Sequence, residues 1–85
     1  MQKPSVGRIV HYVSRGSAEG VYKPECRAAI VTEVADDGRT VGLCVANPAG
    51  LFFHPLAEDG APYDPGDVDE EIGYMPGSWH WPELV

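Results

Sequence analysis

The segment Cys26-Arg-Ala-Ala-Ile-Val-Thr-Glu-Val34 leads into Asp36-Asp-Gly-Arg39, and Thr40-Val-Gly-Leu-Cys-Val-Ala46 follows. An Asp-Gly pair between two apolar runs predicts a tight β-hairpin, because glycine supplies the positive φ that the turn requires. Centring the turn on Asp37 and Gly38 places one apolar face on the hairpin, with the cross-strand pairs Ile30 with Val45, Thr32 with Leu43, and Val34 with Val41. A bulged turn shifts this register by one residue.

Three further strands are expected outside the hairpin. The run 6–13 is rich in β-branched and aromatic residues, and alternation places Val10 and Tyr12 on one face of it. The run 51–56 predicts a short strand whose Pro55 suits a sheet edge or a strand end. The run 77–82 predicts a last short strand in which Trp79 and Trp81 point to the same side.

Length and composition predict a single small β domain over residues 1–85. The chain has 85 residues, with ten glycines and eight prolines. Five short strands with such connections indicate a small, partly open barrel of the SH3-like kind, the alternatives being an OB-like barrel or a curved antiparallel sheet. Residues 57–77 are rich in proline, glycine and acids and predict a long loop, with at most a turn of helix at 67–71. Its expected anchors are Tyr63, Ile72, Tyr74 and Met75.

The charge distribution argues against nucleic acid as a partner. The net charge is −7, and seven acidic residues lie between Glu58 and Glu71 with no basic residue among them. Such a surface repels phosphate and suits a basic protein partner, or simply keeps a small protein in solution. The longest apolar run, 41–46, is far shorter than a membrane span, and the first residues lack the apolar core of a secretory signal. We therefore expect an intracellular protein that does not contact a membrane.

Neither catalysis nor a cofactor is expected. Nucleophilic catalysis needs Cys26 or Cys44 beside His11, His54 or His80, and nothing in the local sequence arranges such a pair. The same five residues bind a metal only if the fold gathers them, because no Cys-x-x-Cys or His-x-His motif is present. Two cysteines are too few for a disulfide framework, so both are expected to act as small buried hydrophobic residues.

The aromatic segment near residue 80 is the best candidate for a binding surface. Trp79 and Trp81 on one face, His80 between them and Tyr12 on the first strand are expected to form a stacking wall. The competing interpretation is that at least one tryptophan serves the core instead. Two arginines nearby add a contact for an anion or a nucleotide. The candidate binding residues are therefore Arg8, Tyr12, Arg27, Trp79, His80 and Trp81.

Four segments carry a resemblance to a known family. They are Val6-Gly-Arg-Ile-Val-His-Tyr-Val-Ser14, Glu25-Cys-Arg-Ala-Ala-Ile-Val-Thr-Glu-Val34, Val41-Gly-Leu-Cys-Val-Ala-Asn-Pro-Ala-Gly-Leu-Phe-Phe53 and Gly77-Ser-Trp-His-Trp-Pro-Glu83. With these segments the chain resembles a family of short uncharacterised proteins of actinobacterial bacteriophages and prophages. The resemblance implies a phage origin and action in the host cytoplasm, and it assigns no activity and no binding residue.

Together these features predict a non-catalytic phage accessory protein that acts by binding. One version blocks a host protein, using the acidic loop 58–71 and exposed aromatic side chains. The other sequesters a nucleotide-like immune signal as a form of counter-defence, using the arginines and aromatic residues, with a pocket formed where copies of a homo-oligomer meet. The alternative function is that of a small structural protein associated with the virion.

Overall fold

The computed structural model describes residues 3–14, 25–65 and 75–82. Its elements are β1 (Ile9–Val13), β2 (Cys26–Val34), β3 (Val41–Asn47), β4 (Gly50–His54), a 3₁₀ turn (Leu56–Glu58) and β5 (Trp79–His80). The strands form one antiparallel sheet with the order β4-β3-β2-β1-β5, so the predicted all-β fold is confirmed. In the described part of the chain, no helix is long and apolar enough to cross a membrane.

Residues 61–63 close the sheet into a partly open barrel. Ala61 exchanges two backbone hydrogen bonds with Val41 at the start of β3, at 3.0 and 2.8 Å. Tyr63 forms a parallel bridge with Trp79 of β5. The segment thus connects β3 to β5, as expected of a small, partly open barrel.

Residues 57–65, the first part of the predicted loop 57–77, therefore contain the end of the 3₁₀ turn and two bridges to the sheet. Tyr63 packs against the core, as expected of an anchor. Met75 was also expected to be an anchor, but its side chain is exposed, so that prediction is wrong. The predicted helical turn at 67–71 and the anchors Ile72 and Tyr74 lie outside the described residues.

The turn of the β2–β3 hairpin is held by the carboxylate of Asp37. Its Oδ1 accepts the backbone N–H groups of Arg39 and Thr40 at 2.7 and 2.8 Å, and its Oδ2 accepts the Thr40 hydroxyl at 2.6 Å. These bonds lower the pKa of Asp37 below its ordinary value of 3.8, with the Thr40 hydroxyl as the largest cause. Gly38 takes the positive φ, 71°, that the sequence predicts for the turn.

The hairpin begins in the predicted register and then shifts. Val34 pairs with Val41 as predicted, but a bulge between Val31 and Glu33 moves the remaining pairs by one residue. Because side chains alternate along a strand, this shift reverses which residues of β2 face the core. Val31 is buried, whereas Ile30 is 47% exposed and Thr32 is exposed. The predicted inward positions of Ile30 and Thr32 are therefore wrong.

Gly42 makes room for the side chain that follows the bulge. A Cβ atom at Gly42 would lie 2.6 Å from the Glu33 carboxylate. That carboxylate accepts the backbone N–H of Leu56 at 2.9 Å, just after β4. Glu33 therefore crosses β3 above a residue without a side chain and ties β2 to the 3₁₀ turn.

The core lies on the inner face of the sheet. Val10 and Tyr12 of β1 face inward, as the alternation predicts, while Val6 lies outside the strand and is exposed. The core is small, as the length of the chain requires, and its largest member is Trp79. The buried cluster consists of Val10, Tyr12, Ala29, Val31, Val41, Leu43, Val45, Ala61 and Trp79.

Candidate functional site

Trp79 and Tyr12 are core residues rather than parts of an exposed stacking wall. Trp79 is fully buried, its indole N–H donates to the carbonyl oxygen of Arg39 at 2.7 Å, and its ring lies 4.7 Å from that of Tyr63. Tyr12 is buried and stacks on His54 with a ring separation of 4.7 Å. The predicted wall is therefore corrected, because these two rings face the interior of the barrel.

Trp81 and Arg8 form the part of the predicted surface that is accessible. Trp81 is half-buried and meets Trp79 edge-to-face at 5.3 Å, so the two indoles lie on the same side as predicted. The guanidinium carbon of Arg8 lies 5.0 Å from the centre of the Trp81 ring, within the range of a cation–π contact. In the described part of the chain, the Trp81 indole N–H is buried and has no acceptor.

Arg27 lies away from Arg8. The Arg8 carbonyl accepts the N–H of Val31, whereas Arg27 pairs with Tyr12 at the other end of β1. Four residues along a strand separate the two backbone positions by about 13 Å. Arg27 instead forms an ion pair with Glu25 at 3.1 Å. The two arginines that the sequence suggested as one anion contact therefore lie at opposite ends of the β1–β2 pair.

His80 points to the opposite face from its two tryptophan neighbours. It is buried on the outer face of the sheet and pairs across the strands with His11 of β1. The two imidazole rings meet edge-to-face with centres 5.3 Å apart. Cys26 of β2 completes the group, with its Sγ 3.8 Å from His80 Nε2.

These three residues, which we call the His–Cys cluster, come from three adjacent strands. One ligand atom of each lies within 4.8 Å of the others. The sequence predicts a metal site only if the fold brings these residues together, because no local motif does so. The fold does this by pairing β1 with β5, which lie far apart along the chain. Cys26 is exposed, so its expected burial is wrong, and Cys44 is half-buried; neither forms a disulfide. His54 stacks on Tyr12 and is not part of the cluster.

An apolar row crosses the outer face beside this cluster. Ile9 pairs with Ile30, Ile30 with Cys44, and Cys44 with Phe53, so the four side chains line up across β1 to β4. Ile9 is 60% exposed and Phe53 is 66% exposed. Leu51, two residues from Phe53, is exposed on the same face. We call the row formed by Ile9, Ile30, Cys44 and Phe53 the outer apolar row. The sequence does not predict this row, because Ile30 faces outward only as a result of the bulge in β2.

Comparison of the chain with protein-family models, with curated proteins and with solved structures finds no match. The roles of the outer apolar row, the Arg8–Trp81 pair and the His–Cys cluster are therefore inferred from their own chemistry.

Proposed function

We propose that the chain is a non-catalytic phage accessory protein that binds a protein of the host cell through the outer apolar row. The observation that carries this proposal is the alignment of four apolar side chains on the solvent side of the sheet. Isolated exposed hydrophobic residues are ordinary, but contiguous ones on a small domain are typical of an interaction surface. The phage origin rests on the family resemblance described above.

Strand β4 adds backbone groups to this surface. It is the outermost strand of the described sheet, and Leu51, Phe52 and Phe53 are all exposed on it. An edge strand presents N–H and C=O groups to which a partner strand can pair. A host protein that adds a strand at β4 would also cover Phe53 and Leu51, the two apolar side chains on its outer face.

The negative charge of the described residues favours a partner with a basic rim. Residues 3–14, 25–65 and 75–82 contain seven acidic and four basic side chains. Opposite charges around an apolar contact guide association and exclude wrong partners. We infer that the partner carries lysine or arginine side chains around an apolar patch.

The test compares two phenylalanines on opposite faces of one strand. Phe53 lies in the outer apolar row, whereas Phe52 pairs with Val45 on the inner side and is 56% exposed. The tagged chain is expressed in the host, the co-purifying protein is isolated, and its affinity is measured for each variant. Phe53→Ser should weaken binding at least tenfold, as expected of a central apolar contact, while Phe52→Ser should retain it.

Equal affinities of the two variants for that partner would contradict the proposal. A chain that self-associates through this face, with dimerisation lost in Phe53→Ser, would also contradict it. Recovery of the chain at high copy number in purified virions would instead support the structural role.

A second candidate is supported by the Arg8–Trp81 pair. A guanidinium beside a half-buried indole offers a positive charge and an aromatic surface to a nucleotide-like ligand. The buried indole N–H of Trp81 adds a donor that has no acceptor among the described residues. Native mass spectrometry of the protein from its host tests this candidate. An adduct of nucleotide mass that disappears in Arg8→Glu would support it, and a clean mass would contradict it.

A further inference from the structure

We propose that His11, Cys26 and His80 bind one zinc ion on the outer face of the sheet. This site is independent of the proposed host partner and requires no other protein. All three residue types are common zinc ligands, and a thiolate with two imidazoles favours zinc over magnesium or calcium.

The strand pairing explains how the three ligands come together. His11 is directly opposite His80, and Cys26 is opposite Val13, two residues further along β1 on the same face. Strand β1 therefore lies between the strands that supply the other two ligands. Because the three strands are hydrogen-bonded neighbours, the backbone positions are fixed before any ion binds, which favours a specific site.

The distances are close to those of a metal site. Two ligands of a tetrahedral zinc ion, one sulfur and one nitrogen, lie about 3.6 Å apart. Cys26 Sγ and His80 Nε2 are separated by 3.8 Å, and one ligand atom of each of the three residues lies within 4.8 Å of the others. Closing the remaining gap requires a movement of roughly 1 Å, which side-chain rotation supplies.

The burial of the three ligands defines the route of entry. His80 is buried, His11 is half-buried and Cys26 is exposed, so the site opens towards solvent on the cysteine side. Three protein ligands leave the fourth position of a tetrahedral ion for a water molecule. The net charge of −7 raises the local concentration of cations around the protein.

The chain provides matched controls for the test. Cys44 and His54 are the other cysteine and the other histidine, and neither belongs to the cluster. Metal-free protein is titrated with Zn²⁺ and then with Co²⁺, with stoichiometry from native mass spectrometry. The wild type, Cys44→Ser and His54→Gln should each bind one ion and show a thiolate-to-cobalt charge-transfer band. Cys26→Ser should lose that band.

The affinity measurements decide the assignment. Loss of a residue that merely orients a ligand weakens metal binding by 10- to 100-fold, so Cys26→Ser and His11→Gln should weaken it by at least about 100-fold. Both side chains are at least partly accessible, so these variants are expected to fold. A wild type that binds no zinc at micromolar concentration would overturn the proposal, as would equal affinities of Cys26→Ser and Cys44→Ser.

A measurement on the wild type alone tests the zinc site even if one of the variants fails to fold. One equivalent of Zn²⁺ should slow alkylation of Cys26 by iodoacetamide at least tenfold and leave the rate at Cys44 unchanged, because a coordinated thiolate is a poor nucleophile. Peptide mapping distinguishes the two cysteines. An unchanged rate at Cys26 would overturn the proposal.

Discussion

The indole N–H of Trp79 donates a 2.7 Å hydrogen bond to the carbonyl oxygen of Arg39, which ties the last strand to the turn between β2 and β3. This bond and the complete burial of the ring make Trp79 a structural residue. Trp79→Phe should lower the free energy of unfolding by about 2–4 kcal/mol, because it leaves a cavity in the core and removes the hydrogen bond to the Arg39 carbonyl. Urea unfolding followed by circular dichroism measures this change.

Trp81 provides the control for that substitution. It is half-buried and packs at the edge of the same cluster. Trp81→Phe should cost about 1 kcal/mol or less, because its ring is only partly buried and donates no hydrogen bond to a described residue. Equal losses in the two variants would show that the Trp79–Arg39 bond contributes little.

The bulge in β2 predicts losses of unequal size at two neighbouring residues. Val31 is buried and Ile30 is 47% exposed. Val31→Ala should destabilise the protein by roughly 2 kcal/mol, and Ile30→Ala by less than about 1 kcal/mol, because only the first removes methyl groups from the core. Both losses are measured by thermal unfolding. A larger loss for Ile30→Ala than for Val31→Ala would contradict the bulge and favour the predicted register, in which Ile30 faces the core.

Glycine at position 60 is expected to be essential for closing the barrel. Its φ is 57°, and a Cβ atom there would lie 2.6 Å from the carbonyl oxygen of Val41, beside the bridge to Ala61. Gly60→Ala should therefore cost about 3 kcal/mol or more, since backbone strain and a steric clash add together.

Gly38→Ala isolates the strain from the clash. Its φ is 71°, but nothing lies within 4 Å of the added Cβ position. The expected loss is about 1–2 kcal/mol from the left-handed backbone alone. Similar melting temperatures for the two variants would show that residues 60–61 move away from β3 at little cost.

The turn carboxylate predicts a change in acid stability. The pKa of Asp37 is lowered in the folded protein, so its stabilising effect is present above the unfolded value of 3.8 and is lost as the pH falls through the lower folded pKa. Asp37→Asn should be less stable than the wild type at neutral pH. The difference should begin to shrink below about pH 4, where Asp37 of the unfolded chain becomes protonated, and should vanish below the lower folded pKa.

A neighbouring carboxylate separates this effect from that of net charge. Asp36→Asn removes the same charge from an adjacent exposed position. It should leave the acid limb of the stability curve close to that of the wild type. If it flattens that limb as much as Asp37→Asn does, the hydrogen bonds to Asp37 are not the cause.

Local sequence signals predicted the local part of this structure. Asp37 and Gly38 specify the turn, and alternation places Val10 and Tyr12 on one face. Trp79 and Trp81 also share a side, as predicted, but alternation alone does not tell which side meets the core.

The features that the sequence did not predict depend on contacts between distant segments. The bulge at Thr32 lies next to Glu33, whose carboxylate accepts a hydrogen bond from the backbone N–H of Leu56, a residue that follows β4. The His–Cys cluster depends on pairing β1 with β5. Neither relationship leaves a pattern within a window of ten residues, so neither His80 nor Ile30 could be assigned to the outer face in advance.

The position of β1 between β2 and β5 also bears on how fast the barrel assembles. Its pairing with β2 spans a connection of moderate length, whereas its pairing with β5 joins His11 to His80 across most of the chain. Contacts of such high sequence separation raise the contact order, and refolding slows because the entropy of closing a long loop is lost before the contact forms. We therefore expect the β2–β3 hairpin to form early and the docking of residues 79–80 to be the late step that sets the refolding rate.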